Sequence, residues 1–217
     1  MLSIDRAGSL AALLCAATYV FGFAYLLAVL MPGGFDPAGT DAVETLASLT
    51  AAAGGVRLWY FVIYIVNALA LAVLATAIAE RITRASPGFG RLTFAFGIVW
   101  TTLILGAGMV MSVGLARVLP MAEAGDPAAL LLWQVVELVE NGLGGGNELA
   151  GGAWALAIGF ATIRTGALPR LFGWVSVVIG LAGFSTLIAP IAEIGGSIFG
   201  LGYILWFVWV GVALLRR

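Results

Sequence analysis

The sequence predicts an all-α fold: a polytopic transmembrane bundle of six helices, with an additional short amphipathic helix on the outer side before the fourth span. Three observations carry that reading. Hydrophobic residues make up 62% of the chain and charged residues only 10%, a balance far from that of soluble domains. The apolar residues gather into runs long enough to cross a hydrocarbon core of about 30 Å. All seven prolines fall between those runs, as expected if the runs are helices, whose interiors proline disrupts.

The runs lie at about 9–31, 56–79, 92–119, 147–163, 171–189 and 195–215. The first is too long for a signal-peptide core and has no small-x-small cleavage site, so it reads as an uncleaved first helix. A Gly- and Pro-rich loop over 32–55 follows, within which residues 41–53 form a short helix capped by Thr40 or Asp41. The second span ends in Glu80-Arg81, and a turn containing Pro87 leads to the third, which is long enough to tilt. The fourth span is marginal in length, the fifth follows a turn over Thr165–Arg170, and Pro190 and Glu193 mark the turn before the sixth. The whole of 1–217 reads as a single membrane domain.

Charge sets the orientation. With both termini on one side, that side holds Arg6, Arg81, Arg84, Arg91, Arg164, Arg170, Arg216 and Arg217 against only Asp5 and Glu80. The other side keeps two arginines, Arg57 and Arg117, against nine acids. Arginine-rich loops stay in the cytoplasm, so the expectation is a plasma membrane protein with cytoplasmic N- and C-termini.

The most polar stretch is 126–148. Asp126 is a good N-cap and Pro127 suits the first helical position, while Gly142 and Gly144 offer a stop. The predicted amphipathic helix over about 127–142 places Gln134, Glu137 and Asn141 on one face with Glu140 at its edge; Leu132, Val135, Val136, Val139 and Leu143 lie opposite. It is too short to cross a bilayer comfortably, so it lies on the membrane surface or dips into it.

Composition also excludes chemistry. Histidine is absent, and all ten basic residues are arginine. Without histidine there is no His-ligated haem and no usual zinc or copper site; without lysine there is no Schiff base and no P-loop lysine. No cofactor and no metal are expected. The single Cys15 reads as a small buried apolar residue. Hydrolase and dinucleotide motifs are missing, and the scattered arginines form no basic stripe for nucleic acid. The sequence thus carries no enzyme signature and leaves open only acid/base work by paired carboxylates on a lipid headgroup. Its expected partners are membrane lipids, other membrane proteins or a second copy of itself.

Small residues recur where helices would pack. Gly151, Ala155 and Gly159 stand four apart in the fourth span, Gly108 with Ser112 in the third, and Gly196 with Gly200 in the sixth; such stripes pack helices within a chain or between copies. Trp59, Tyr60, Trp133, Trp206 and Trp209 lie toward span ends and read as interfacial anchors.

Asn147-Glu148 through Gly152-Ala153-Trp154, followed by Thr165-Gly166-Ala167-Leu168-Pro169-Arg170-Leu171-Phe172-Gly173, resembles an uncharacterised bacterial multi-pass membrane family known only as a domain of unknown function. Members carry an acidic residue before a Gly-Leu-Trp-Leu-like helix start, and later a turn like Ser-Gly-Phe-Leu-Pro-Arg. Here Thr165 stands for Ser, Ala167 for Phe, and Ala153 interrupts Gly-Leu-Trp. The resemblance covers about an eighth of the chain and implies six spans and no assigned activity.

Two functional readings remain. One is an interaction or structural subunit, or a sensor, in the membrane. The other is a small-solute or cation/proton-coupled carrier. For the carrier the candidate ligand- or ion-binding residues are Glu148, Asn67, Glu137, Glu140 and Tyr64. Asn67 falls near the middle of the second span, where an amide must find a partner, and Tyr64 precedes it by three residues, on the same α-helical face. Carboxylates at partial lipid depth hold protons or cations, or pair with Arg57 and Arg117, or face water. Glu148 stands out because it follows a triple glycine at a helix start, where exposed N–H groups attract anions.

Overall fold

The computed structural model of the protein describes residues 3–35, 41–145 and 148–215. Among these, every regular element is helical. Helix α1 spans Ile4–Leu30, its last turn, Leu26–Leu30, wound as a π-helix. Helix α2 is Ala42–Ala51. Helix α3 spans Ala53–Thr83 and contains a π-helical stretch at Phe61–Val66. Helix α4 is Pro87–Glu123; α5 is Ala128–Glu140 and continues as a π-turn through Asn141–Gly145. Helices α6, Glu148–Thr165, and α7, Arg170–Ser185, precede α8, Ala189–Leu215, which opens with a 3₁₀ turn at Ala189–Ile191.

Four helices, α1, α3, α4 and α8, are long and apolar enough to cross a membrane. Two corrections concern helix ends. Pro120 is not a boundary: α4 runs through it to Glu123, tolerated because the proline falls in the last turn and forfeits one main-chain bond there. Nor do Gly142 and Gly144 stop α5, since the chain keeps turning in π form to Gly145. The caps agree better. Asp41 Oδ1 accepts from the N–H groups of Val43 (2.8 Å) and Glu44 (3.3 Å), and Asp126 Oδ1 from that of Ala128 (2.9 Å). Thr40, the alternative cap, Gly146 of the triple glycine and Asn147 of the motif lie outside the described residues.

The chain divides into two compact units. The first comprises 1–19, 67–102 and 147–217. Its helices α6 and α7 meet backbone to backbone. A Cβ built on Gly152 would lie 2.9 Å from the Gly180 carbonyl oxygen, and one on Gly159 would lie 2.8 Å from that of Gly173. Only glycine permits such an approach, and close packing replaces the hydrophobic drive that lipid does not supply. Gly151, predicted to share a stripe with Gly159, instead faces the rings of Trp100 and Phe199.

Those rings belong to an aromatic core of Trp100, Trp154, Phe172, Phe199, Tyr203, Trp206 and Phe207, with centroids about 5–6 Å apart. Tyr203 Oη donates to the Gly151 carbonyl at 2.9 Å and Trp206 Nε1 to Ser176 Oγ at 2.8 Å. Trp206 is thus a core residue and not the interfacial anchor its position suggested. Trp133 and Trp59 are buried too. Trp206 and Trp59 satisfy their indole N–H groups inside the protein instead of in headgroups, whereas those of Trp133 and Trp154 are buried without a hydrogen-bond partner.

The second unit comprises 20–66 and 103–146. Its core gathers Leu30, Leu46, Leu49, Trp59, Met111, Leu115, Trp133 and Val136, and Trp59 Nε1 donates to the Gly22 carbonyl at 2.9 Å. The short helices α2 and α5 pack on each other here.

Candidate functional site

The site in the second unit is built on α5. Its inward face carries Ala129, Trp133, Val136 and Glu140, all buried. Its outward face carries Leu131, Val135, Leu138 and Val139, with Leu138 72% exposed. The helix is apolar on both faces: three of its four buried residues are apolar, and beside them a carboxylate points in. The sequence reading put Glu140 at the edge of a polar face, because periodicity reports the faces of a helix but not which one the protein covers.

Glu140 finds its partner on α3. Tyr64 Oη donates to Glu140 Oε1, and Gly108 of α4 packs directly against Tyr64 Cβ and Ile65, so the ring is held from behind. Tyr60 stacks on Tyr64, with centroids 5.8 Å apart and planes at 11°. Tyr64 lies within the π-helical stretch of α3, and Glu140 immediately precedes the π-turn that ends α5. Such wide turns, rare overall, recur at functional sites. Burial pushes the Glu140 carboxyl above its ordinary pKa; the Tyr64 hydrogen bond opposes the rise and the neighbouring Glu137 charge adds to it.

Glu137 stands one turn before Glu140 on α5, half-buried, and its carbonyl accepts from Asn141 Nδ2 at 3.0 Å. Arg57, one of the alternative partners considered for the carboxylates, donates to the Leu115 carbonyl at 3.5 Å.

Asn67 belongs to the first unit and is nearly fully buried. Its Nδ2 donates to Thr18 Oγ1 at 2.7 Å, Thr18 Oγ1 donates to the Cys15 carbonyl at 2.8 Å, and Cys15 Sγ approaches the Asn67 carbonyl at 3.9 Å. This closed set of bonds accounts for an amide in the middle of an apolar helix. Glu148, also in the first unit, is half-buried at the start of α6. The structure therefore brings Tyr64, Glu140 and Glu137 together and gives Asn67 partners of its own. Among the described residues no group of three or more His, Cys, Asp or Glu side chains could hold a metal ion.

The described residues define an all-helical protein with four helices long and apolar enough to cross a membrane and a buried carboxyl–phenol pair. The chain belongs to the DUF4386 family, described as a domain of unknown function, whose family model matches residues 8–216. No curated protein and no solved structure matches it.

Proposed function

We propose that the chain is a six-span integral membrane protein, a single membrane domain of the bacterial plasma membrane with both termini cytoplasmic. In this reading it works as an interaction or structural subunit, or as a sensor, among other membrane components. The four long apolar helices and the arginine asymmetry support the placement, with α6 and α7, closely packed along their glycines, as the fourth and fifth spans. The observation that carries the functional reading is the exposed apolar face of α5. Its stripe of Leu131, Val135, Leu138 and Val139 faces outward, where lipid or the apolar face of another membrane protein would meet it at no cost in desolvated polar groups. The groove of about 860 Å³ beside it, between α2 and the start of α5, is lined by Val43, Leu46, Ala47 and Leu130 among others and extends the apolar surface.

Native mass spectrometry after gentle extraction from the source membrane tests this. A stable complex with other polypeptides, lost when Leu131 and Leu138 are changed to Ser, is the expected result. A lone protomer that retains a small molecule overturns it.

The second reading, a proton-coupled carrier, is favoured by Glu140 and Tyr64, a carboxyl that burial inclines to hold a proton. In reconstituted vesicles it requires a solute flux driven by a pH gradient and abolished by Glu140→Gln at unchanged folded yield. The Asn67→Ala and Glu148→Gln variants distinguish a wider polar route from this one pair.

A further inference from the structure

The first unit has a cavity of about 600 Å³ whose lining includes Asp5, Arg6, Arg81 and Arg84 together with Leu214 and Leu215. A second cavity, of about 390 Å³, shares Arg81 and Ala167 with it and is lined by Leu168, Trp209 and Val212. Three arginines and one carboxylate thus line the same cavity. Asp5 Oδ2 pairs with Arg84 at 3.3 Å, across a partly exposed bridge, and Asp5 Oδ1 is buried without a hydrogen-bond partner. The lining residues comprise three arginines against one aspartate, and the neighbouring cavity sets Leu168, Pro169, Trp209 and Val212 beside Arg81.

We propose that this cavity is a binding site for a phosphate-bearing anion, supplied by the headgroup of an anionic lipid. Guanidinium groups present planar, forked donors that match phosphate oxygens, and basic pockets between helix ends are where anionic headgroups dock. The adjoining surface of Leu168, Trp209 and Val212 suits the glycerol and upper acyl portion, which a free phosphate lacks. Asp5 limits the site: its carboxylate holds Arg84 in place and repels the ligand. The lipid source rests on the membrane placement proposed above; the charge constellation does not.

The test uses the full chain in detergent, with native mass spectrometry of retained phosphatidylglycerol against phosphatidylcholine of the same acyl chains. Phosphatidylglycerol should be retained on the order of ten-fold better. The double variant Arg6→Gln/Arg81→Gln should bring it down to the phosphatidylcholine level, and Asp5→Asn should raise it several-fold. Equal retention of the two lipids, or wild-type retention by the double variant, overturns the site. Should the double variant fail to fold, Asp5→Asn decides alone: unchanged or weaker retention of phosphatidylglycerol refutes the proposal. Millimolar inorganic phosphate that displaces the lipid would keep the phosphate site but assign it to the free anion. A chain that stays monodisperse without detergent contradicts the membrane placement, whereas a detergent-requiring chain blind to headgroup charge contradicts this site only.

Discussion

The phenol of Tyr64 donates its hydrogen bond to the carboxylate of Glu140, seventy-six positions along the chain. Each residue sits at a π-helical segment: Tyr64 inside Phe61–Val66, Glu140 just before Asn141–Gly145. A π-turn inserts a residue and rotates the side chains that follow its wide turn, which bears on Tyr64 inside its segment; Glu140, ahead of its own π-turn, keeps the α-helical register of α5. The bond also explains why a carboxylate lies on the covered face of α5. A buried carboxylate without a donor is costly, and one accepting from a phenol is tolerated. The phenol is stacked on Tyr60, and Gly108 packs against the Tyr64 Cβ that carries it.

The pair makes stability depend on pH in a definite direction. Burial, the larger influence, raises the folded-state pKa of Glu140 above 4.5. The folded protein then binds more protons than the unfolded chain in the interval above that value, and stability falls as pH rises through it, by at most about 1.4 kcal/mol per pH unit for one group. Melting of the detergent-solubilised protein between pH 4.5 and 8 should show this decline. Glu140→Gln should flatten it, and Tyr64→Phe, which removes the bond opposing the rise, should extend it to higher pH. A melting profile identical in wild type and Glu140→Gln would sink the assignment.

Asn67 gives a prediction of the opposite kind, structural and insensitive to pH. Its amide joins α3 to α1 through Thr18, and side-chain bonds between membrane helices contribute on average about 0.6 kcal/mol and at most about 1.7. Asn67→Ala leaves the Thr18 hydroxyl still donating to Cys15 but empties the space of the amide, so the loss should be about 1–2 kcal/mol. A double-mutant cycle with Thr18→Val, read by unfolding in mixed detergent, should give a coupling near 0.6 kcal/mol. Coupling indistinguishable from zero would mean that the bond carries no stability.

How much of this was legible beforehand follows from what each signal measures. The all-helical fold and the long apolar helices came from composition and run length, which do not depend on neighbours. The caps Asp41 and Asp126 were legible because capping is local. The orientation of α5 was not: its polar and apolar faces could be listed, but only tertiary contacts decide that Glu140 points in and Leu138 out. The π-turns have no residue signature, so α-helical spacing sets Tyr64 on one face with Asn67, whereas its partner is Glu140 on another helix. Trp206 and Trp133 were assigned to interfaces because their positions near span ends are visible, while the cavities they fill are not. The arginines of the first unit served only to orient the chain, since their convergence on one cavity needs three dimensions.

The α6–α7 seam gives the sharpest prediction. At Gly159 an added Cβ would meet the Gly173 carbonyl at 2.8 Å and Val177 Cγ2 at 2.7 Å; at Gly152 it would meet the Gly180 carbonyl at 2.9 Å. The atoms in the way are backbone, which cannot rotate aside as a side-chain tip does, so a larger residue must separate the helices along their length. At Gly196 on α8 the nearest atom to an added Cβ is 4.0 Å away, and there only intrinsic helix propensity changes, in favour of alanine. Gly159→Leu and Gly152→Leu should therefore each lose most of the monodisperse folded yield in detergent, while Gly196→Ala should match wild type or melt slightly higher. The comparison controls for glycine content, because all three positions are helical glycines of one unit. If Gly159→Leu folds to wild-type yield with an unchanged melting temperature, α6 and α7 do not touch along these glycines, and the assignment of the pair as two closely packed spans falls with it.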